Sequence, residues 1–177
     1  MIPYYVKNPN TLNRLNDLVR NFEFGFSRID INEIWSDQYK IQVVHEVNGK
    51  EYDVGNLSKW TIGIINSSPL IFSVLDNWWV LVFDELDASL HPEVVEAILD
   101  LFASKKHNPQ NAQLFFSTHN PRILNKLYKY QIQLVEKEWN WESHTWRLDE
   151  IEWVRTEDNY YAKYMAWAYW ARPNINI

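Results

Sequence analysis

The N-terminal third of the chain carries a helical pattern followed by an alternating one. Apolar side chains recur at helical spacing within residues 10–27: Leu12, Leu15, Leu18, Val19 and Phe22. This spacing predicts an amphipathic helix. From Ile29 to Val54, apolar and polar residues alternate on either side of Asn48-Gly49. Alternation around an Asn-Gly pair predicts a β-hairpin with its turn at those two residues.

The middle of the chain predicts a helix and then a buried strand. Residues Ser58 to Asp76 place apolar side chains at helical spacing, with Pro69 as an interruption. The next segment, Val80 to Phe83, is a continuous apolar run. A run without alternation is typical of a strand in a parallel sheet, which is covered on both faces. We therefore expect both faces of this strand to be buried.

Helices and strands continue to alternate after this strand. Pro92 and the periodic apolar residues behind it predict a helix that extends to about Ser104. The later patterns predict a strand at Leu114–Phe116, a short helix at Pro121–Tyr128, a third strand at Gln131–Val135 and a helix at Asp158–Ala171. The order strand, helix, strand, helix, strand predicts an α/β fold with a parallel sheet flanked by helices.

Length and charge limit the class of protein. The chain has 177 residues and a formal net charge of −6, which suits one domain with a core and argues against a strongly basic nucleic-acid surface. It has no cysteine, which excludes a disulfide scaffold and cysteine-based zinc sites. No signal-peptide pattern or long apolar run is present. We expect a soluble, cytoplasmic protein that does not bind membranes.

The counts of tryptophan and glycine are unusual. The chain has 10 tryptophans but only 4 glycines, and together they number 14. An average protein of this length has roughly 12 glycines. Trp78, Trp79, Trp139 and Trp141 lie in stretches typical of turns, where a positive φ or a missing side chain favours glycine. One hypothesis is that most of the ten tryptophans are encoded by UGA codons that the source organism reads as glycine; the alternative is a tryptophan-rich surface used for stacking or binding.

Two adjacent carboxylates follow the apolar run. The sequence VLVFDE has the form of a Walker B strand, in which a strand delivers two acids to the carboxyl edge of a sheet. Ligands of open α/β folds bind at that edge. Asp84 is therefore the candidate that holds Mg²⁺, and Glu85 is the candidate that polarises an attacking water.

The residues behind these acids extend the motif. From Asp84 to Pro92 the chain reads DELDASLHP, and the next apolar strand ends in STHNP. With these motifs the chain resembles the AAA_21 group of ABC-type ATPases, which includes OLD-like and abortive-infection ATPases. The resemblance covers roughly residues 29–177 and implies a P-loop NTPase fold that binds and hydrolyses ATP with Mg²⁺.

The resemblance also implies roles for residues on both sides of the acids. Ser89, Leu90 and His91 correspond to the D-loop, and His119 corresponds to the switch histidine that contacts the γ-phosphate. A capping or core histidine is the alternative for His119. These positions make Glu85 and His119 the expected catalytic pair.

A second implied motif lies upstream. Ser58 and Trp60 fall on the family signature, which resembles S-x-G-T and binds the γ-phosphate of an ATP held by a second subunit. Trp60 stands where the family has glycine, and an indole would block the close backbone approach. A plain helix N-cap is the alternative for Ser58.

One motif of the family is missing from the sequence. No G-x-x-x-x-G-K-[ST] occurs, and its glycine-rich loop and lysine would supply most of the phosphate contacts. We therefore expect the chain to be the C-terminal half of an ATPase, inactive alone. Within it we expect a lead-in helix and hairpin at residues 1–56, the signature helix, Walker B, D-loop and H-loop at 57–136, and a C-terminal segment of the same domain at 137–177.

These motifs imply partners and leave an alternative open. The expected assembly is a head-to-tail homodimer of ATPase heads, coupled to an effector domain or partner protein, with nucleic acid reached through the complex. The main alternative is a non-hydrolysing interaction module on the same fold. A module that stacks nucleic-acid bases on exposed tryptophan and tyrosine is a third hypothesis, which the acidic charge disfavours.

Overall fold

The computed structural model describes residues 2–20, 25–35, 38–88, 90–138 and 140–169. By its internal contacts the chain forms two compact units, Met1–Thr118 and His119–Ile177. Each unit is described by itself below. The functional segments expected at 1–56, 57–136 and 137–177 stay a prediction.

Four helices belong to the first unit: α1 (Ile2–Lys7), α2 (Pro9–Arg20), α3 (Lys59–Asp76) and α4 (Pro92–Ala103). The amphipathic helix expected over residues 10–27 is α2, but it ends at Arg20, and the chain is already in a strand at Phe26. Pro69 lies inside α3 without ending it. Ser58 begins α3 as its N-cap, and its hydroxyl accepts a hydrogen bond from the Thr61 N–H at 3.2 Å.

Three antiparallel strands follow α2: β1 (Phe26–Trp35), β2 (Gln38–His45) and β3 (Glu51–Asp53), in the order β1-β2-β3. The turn at Asn48-Gly49 joins β2 to β3 as predicted, and Gly49 adopts a φ of 63° there. The pairing of β1 with β2 was not predicted. We call this sheet the meander.

The meander buries chiefly one face, although Val44, which follows Val43 on β2, is buried as well. Ile29 pairs with Val43 and Ile31 pairs with Ile41, and all four side chains are buried. The residues between them are polar, as the alternating pattern requires. The buried Asn16 side chain of α2 accepts a hydrogen bond from the Ile29 N–H at 2.7 Å and donates one to the Ile29 carbonyl at 3.2 Å. Helix α2 is thereby fastened to the outer edge of β1.

The second sheet of this unit is a parallel pair, β4 (Val80–Phe83) and β5 (Gln113–Phe116). The parallel pairing was predicted. The expected burial of both faces is wrong for this strand: Leu81 is buried, but Val80 and Val82 are exposed. Alternate residues of a strand point to opposite faces, so one face of the pair is packed and the other is open within the described chain.

The second unit has its own small sheet and core. Strands β6 (Gln133–Lys137) and β7 (Ser143–Arg147) pair antiparallel, and helix α5 (Tyr160–Met165) follows. Short 3₁₀ turns lie at Pro121–Lys126, Lys129–Gln131 and Leu148–Glu150, and another lies at Val54–Asn56 in the first unit. The core consists of Ile132, Leu134, Leu148, Val154, Tyr160 and Tyr169.

Two sequence predictions for this unit need correction. The third strand exists as β6, but it pairs with β7 rather than with the parallel pair, because a hairpin partner follows it directly in sequence. The helix expected over 158–171 is the short α5, which ends at Met165. Residues 170 and 171 of that prediction lie outside the described residues.

Several tryptophans occupy unusual backbone conformations. Among the described residues, five non-glycine residues have a positive φ, and three of them are Trp78, Trp141 and Trp167. The structure therefore confirms the expected conformation for Trp78 and Trp141. It does not for Trp79, which lacks a positive φ, and Trp139 lies outside the described residues.

Across the described part of the chain, every helix is too short or too polar to span a bilayer.

Candidate functional site

The candidate site lies at the carboxyl ends of β4 and β5. Parallel pairing brings both ends to the same edge, so Asp84 after β4 lies beside Ser117 after β5. The Ser117 hydroxyl donates a hydrogen bond to Asp84 Oδ1 at 2.5 Å and accepts one from the Glu85 N–H at 2.7 Å. One hydroxyl thus holds both acidic residues in place.

The backbone turns sharply at the second acid. Glu85 has a φ of 50°, which is uncommon for a residue with a side chain. Three backbone hydrogen bonds fix the turn: Ser117 N–H to the Phe83 carbonyl at 3.1 Å, Leu86 N–H to the Ser117 carbonyl at 3.0 Å, and Ala88 N–H to the Glu85 carbonyl at 2.9 Å. Strained conformations held by their surroundings are concentrated at functional sites. The turn leaves both Asp84 and Glu85 exposed to ligand.

A cleft of about 200 Å³ adjoins the two acids. Its lining includes Asp84 and Glu85 on one side and Gly63 and Ser67 of α3 on another. The remaining lining is apolar: Phe83, Leu86, Ala88 and Leu90. The small residues of α3 leave room for a group beside the carboxylates.

The predicted signature residues lie at the start of α3. Ser58 caps the helix, which agrees with both interpretations of this residue, and its role toward a phosphate stays a prediction. The Trp60 indole stacks on Phe26, with ring centroids 6.4 Å apart, and meets the His91 ring edge-on at 6.2 Å. The structure thus brings together Trp60 and His91, two predicted site residues that are far apart in sequence.

The predicted D-loop leads into α4. His91 is the N-cap of that helix, and its Nδ1 accepts a hydrogen bond from the Glu93 N–H at 3.4 Å. Leu90 is buried and lines the cleft. Ser89 lies outside the described residues, so its role stays a prediction.

His119 is the first residue of the second unit. Its side chain is exposed, and the next residue, Asn120, caps the 3₁₀ turn by accepting a hydrogen bond from the Arg122 N–H at 3.1 Å. Capping at this point is therefore done by Asn120. The role of His119 toward a phosphate stays a prediction.

The donor atoms at the site fit Mg²⁺. A carboxylate and a hydroxyl offer the hard oxygen ligands that this ion prefers, and Mg²⁺ in proteins is commonly held by one or two carboxylates together with substrate phosphates. Among the described residues, no group of three or more histidine, aspartate or glutamate side chains could hold a metal ion by itself. The role of Asp84 as a metal ligand stays a prediction.

Three residues of the site were not predicted from the sequence: Ser117, Gly63 and Ser67. Ser117 is the first polar residue after β5, and the expected parallel pairing of β4 with β5 would have placed it beside Asp84. Gly63 and Ser67 are four residues apart on α3 and share one helix face. Only the packing of α3 shows that this face lines the cleft.

Comparisons with known proteins identify the family of this chain and a solved structure with a similar fold. A family model described as AAA_21, "AAA domain, putative AbiEii toxin, Type IV TA system", matches residues 20–125. No curated protein matches the chain. A solved structure from a study of ATP-driven dimerization and DNA-stimulated activation of SMC ATPases is similar, with a TM-score of 0.58 and 16% identity. The similarity covers 86% of this chain and 97% of that one, and it indicates a shared α/β ATPase fold.

Proposed function

The chain belongs to the AAA_21 family, and from this premise we propose that it binds and hydrolyses ATP as one half of an ABC-type ATPase head. The other half, carrying the phosphate-binding loop, comes from a segment outside these residues, since the sequence contains no G-x-x-x-x-G-K-[ST]. The observation that carries the proposal is the Asp84–Ser117–Glu85 arrangement at the carboxyl edge of the parallel pair.

The first acid, Asp84, is the proposed ligand of Mg²⁺. Asp84 Oδ1 accepts the Ser117 hydroxyl proton, which leaves Oδ2 and the remaining lone pairs for an ion. Asp84 would hold Mg²⁺ there, and the ion would supply positive charge next to the phosphates of ATP. The hydrogen bond from Ser117 orients the Asp84 carboxylate before the ion binds.

The second acid, Glu85, is the proposed residue that positions the attacking water. The sharp turn holds the Glu85 backbone through Ser117, while the carboxylate remains exposed at the cleft. In this proposal the carboxylate accepts a hydrogen bond from the attacking water and aligns it with the γ-phosphate. A positioned carboxylate of this kind contributes about 10²–10⁴-fold to the rate of a hydrolysis. His119 then contacts the γ-phosphate, and Ser89 and His91 act as the D-loop.

A second head completes the active assembly in this proposal. The N-terminus of α3, with Ser58 as its cap, is the positive end of the helix dipole, which suits the phosphate of an ATP on the opposing head. The similar solved structure comes from work on ATP-driven dimerization of SMC ATPases, which supports a homodimer of heads. We expect the enzyme to act in the cytoplasm with an effector domain or partner, and to reach nucleic acid through that complex.

One observation favours a second candidate function, a non-hydrolysing interaction module. The Trp60 indole lies at the start of α3, packed between Phe26 and His91, where the family signature has glycine. An indole there would keep a phosphate from the helix N-terminus. Trp60→Gly separates the candidates, because it should restore hydrolysis in a completed ATPase and change nothing in an interaction module.

The test of the proposed function compares the chain alone with a completed head. The 177-residue chain should show no saturable binding of a fluorescent ATP analogue, because it lacks the phosphate loop. Joined to a segment that carries such a loop, read from the genome with UGA as glycine, it should hydrolyse ATP. In that protein Glu85→Gln should keep ATP binding, lower turnover by about 10²–10⁴-fold and accumulate an ATP-bound dimer.

Two further variants serve as controls for the roles. Asp84→Asn should weaken the dependence on Mg²⁺, and His119→Ala should slow turnover with less effect on binding. Wild-type turnover in Glu85→Gln would remove Glu85 from the mechanism.

A further inference from the structure

Three tryptophans have a backbone conformation that residues with a side chain rarely adopt. Trp78, Trp141 and Trp167 have φ angles of 49°, 69° and 62°. Eight of the ten tryptophans lie in the described part of the chain, so three of these eight are left-handed. The usual share among non-glycine residues is a few per cent, and a bulky residue in this conformation is an outlier. The hydrogen bonds around each residue show why the backbone is left-handed there.

The first of these tryptophans stands directly after helix α3. Asn77 is the C-cap of the helix, Trp78 is the next residue, and the Trp79 N–H donates to the Val74 carbonyl at 3.3 Å. A hydrogen bond from the second residue past the cap to a carbonyl of the last turn is characteristic of a Schellman motif. In that motif the first residue past the cap is left-handed and is usually glycine, which has no Cβ to clash.

Helix α5 ends in the same motif. Its C-cap is Ala166, and the Trp167 N–H donates to the Tyr164 carbonyl at 3.1 Å. The next residue, Ala168, donates from its N–H to the Lys163 carbonyl at 3.0 Å. Both hydrogen bonds of a Schellman motif are therefore present, and Trp167 occupies its left-handed position.

The third tryptophan ends the loop of the β6–β7 hairpin. The Trp141 N–H donates to the Glu138 carbonyl at 3.0 Å, and the Glu138 N–H donates to the Glu142 carbonyl at 2.9 Å. These two bonds define a three-residue hairpin loop that is closed by a G1 bulge. The left-handed residue of such a bulge is typically glycine, and here it is Trp141.

The other described non-glycine residues with a positive φ have explanations that do not apply to tryptophan. Asn111 has a φ of 57°, and asparagine tolerates this conformation because its short polar side chain can bond locally. Glu85 is held in its turn at the candidate site, where its N–H donates to the Ser117 hydroxyl. An indole is neither short nor part of that site, and the three turns around the tryptophans are ordinary chain reversals that glycine closes without strain.

Packing does not explain why bulky residues stand at these turns. Trp78, Trp141 and Trp167 are 74%, 79% and 46% exposed, so much of each indole gains nothing from burial. The Trp141 ring has a cation–π contact, with Lys137 Nζ 4.3 Å from the ring centroid. Contacts of this kind are weak at exposed sites.

We infer that Trp78, Trp141 and Trp167 are glycines in the natural protein, encoded by UGA codons that the source organism reads as glycine. Two helix ends and one hairpin require the same residue, while the chain has 10 tryptophans and only 4 glycines. One difference in the meaning of one codon accounts for all three positions together. These three indoles are then absent from the natural protein and form no surface for stacking nucleic-acid bases.

The gene and the natural protein give the direct test. All three positions should carry UGA, and peptides of the protein isolated from its source cells should contain glycine at each of them by mass spectrometry. A UGG codon at any of the three positions, or tryptophan in the corresponding natural peptide, would overturn the inference.

Thermal unfolding of the 177-residue chain tests the physical basis independently. Each of the substitutions Trp78→Gly, Trp141→Gly and Trp167→Gly should raise the Tm by about 2–4 °C, because glycine adopts the left-handed conformation without strain. The gain should be smallest for Trp141→Gly, which also loses the contact with Lys137. A lower Tm in all three variants would contradict the assignment.

Two matched variants separate backbone strain from the mere loss of an exposed indole. Trp78→Ala removes the indole but keeps a Cβ, so it should leave the Tm nearly unchanged. Trp35 is 74% exposed, as Trp78 is, but it lies in β1 without a positive φ. Trp35→Gly should lower the Tm, because glycine weakens a strand. If Trp78→Ala or Trp35→Gly stabilised the chain as much as Trp78→Gly does, the loss of any exposed indole would explain the gain, and the inference would fall.

Discussion

The meander and the parallel pair differ in how many of their apolar faces are buried. The meander alternates apolar and polar residues and buries Ile29, Ile31 and Val43 on one face, while its other face is polar and less buried except at Val44. The parallel pair is apolar on both faces, but only one of them is covered within the described residues. The apolar face of the meander is covered, whereas the parallel pair has an exposed apolar face within the described residues.

The pattern of apolar residues in a strand therefore indicates how many of its faces need to be covered: one for an alternating strand and two for a continuously apolar strand. The outer edge of β1 is closed within the chain by Asn16 of α2. The outer edges of β4 and β5 have no such partner among the described residues. Helix α3 contacts both α2 and β4, so the two regions share one helix.

The largest expected effect contrasts one charge placed in each sheet. Val43→Asp puts a carboxylate on the buried face of the meander, where the side chain is 2% exposed, and should cost several kcal/mol and prevent cooperative folding. Val82→Asp puts the same charge on the exposed face of the parallel pair and should change the free energy of unfolding by less than about 0.5 kcal/mol. Urea unfolding followed by circular dichroism measures both. Equal destabilisation would show that this face of the parallel pair is covered in the chain alone.

A smaller effect is expected at the closed edge of the meander. Asn16→Ala removes two hydrogen bonds and leaves the buried N–H and carbonyl of Ile29 unpaired, which should cost about 2–3 kcal/mol. The Tm should fall by roughly 5–10 °C. Asn32→Ala, at an exposed position of β1, is the matched control and should have little effect. If both variants melt alike, Asn16 does not close the edge.

Tyr5 links α1 to the shared helix α3 and gives a pH dependence. Its hydroxyl donates to the Ile65 carbonyl at 2.5 Å and lies 2.5 Å from Ser68 Oγ. Burial raises the pKa of this hydroxyl well above its ordinary value, although the hydrogen bond with Ser68 lowers it somewhat. The folded state therefore keeps the proton where the unfolded chain has lost it, so this contribution is fully present below pH 10 and is lost as the pH rises through the raised value.

The variant Tyr5→Phe isolates this contribution. At neutral pH it should cost about 1 kcal/mol, the net value of a typical hydrogen bond. Above pH 10 the stability of the variant should fall less steeply than that of the wild type. Parallel curves for the two proteins would mean that other groups cause the alkaline loss.

The smallest expected effect on stability is at the candidate site. Ser117→Ala removes the hydroxyl that joins Asp84 to the Glu85 N–H, but the site is exposed, so water replaces the bonds and the cost should stay near 0.5–1 kcal/mol. In a completed ATPase the same variant should raise the Mg²⁺ concentration needed for half-maximal turnover. Ser117→Thr keeps the hydroxyl and should restore the wild-type value.

The sequence predicted much of the first unit because its elements follow local rules. The four residues of β4 match the apolar run, and α4 begins at Pro92 as expected. The β1–β2 hairpin was missed because residues 36 and 37 between these strands give no Asn-Gly signal. The adjacent acids Asp84 and Glu85 were found because a carboxylate pair after a buried strand is a local signal.

Other parts of the site depend on contacts between distant segments. Ser117 joins the two acids across more than thirty residues of sequence, and the contact of Trp60 with His91 spans a similar separation. Neither relation has a local signature. The pairing of β6 with β7 likewise shows that a strand pattern specifies a strand but not the sheet to which it belongs.

The sequence by itself determined the element types, the acidic motif and the excess of tryptophan over glycine, because these depend on local spacing and composition. Tertiary structure decided which face of the parallel pair is open, since burial depends on what packs against a strand. It also decided which tryptophans have a left-handed backbone, because the φ of Trp78, Trp141 and Trp167 depends on backbone hydrogen bonds that composition cannot show.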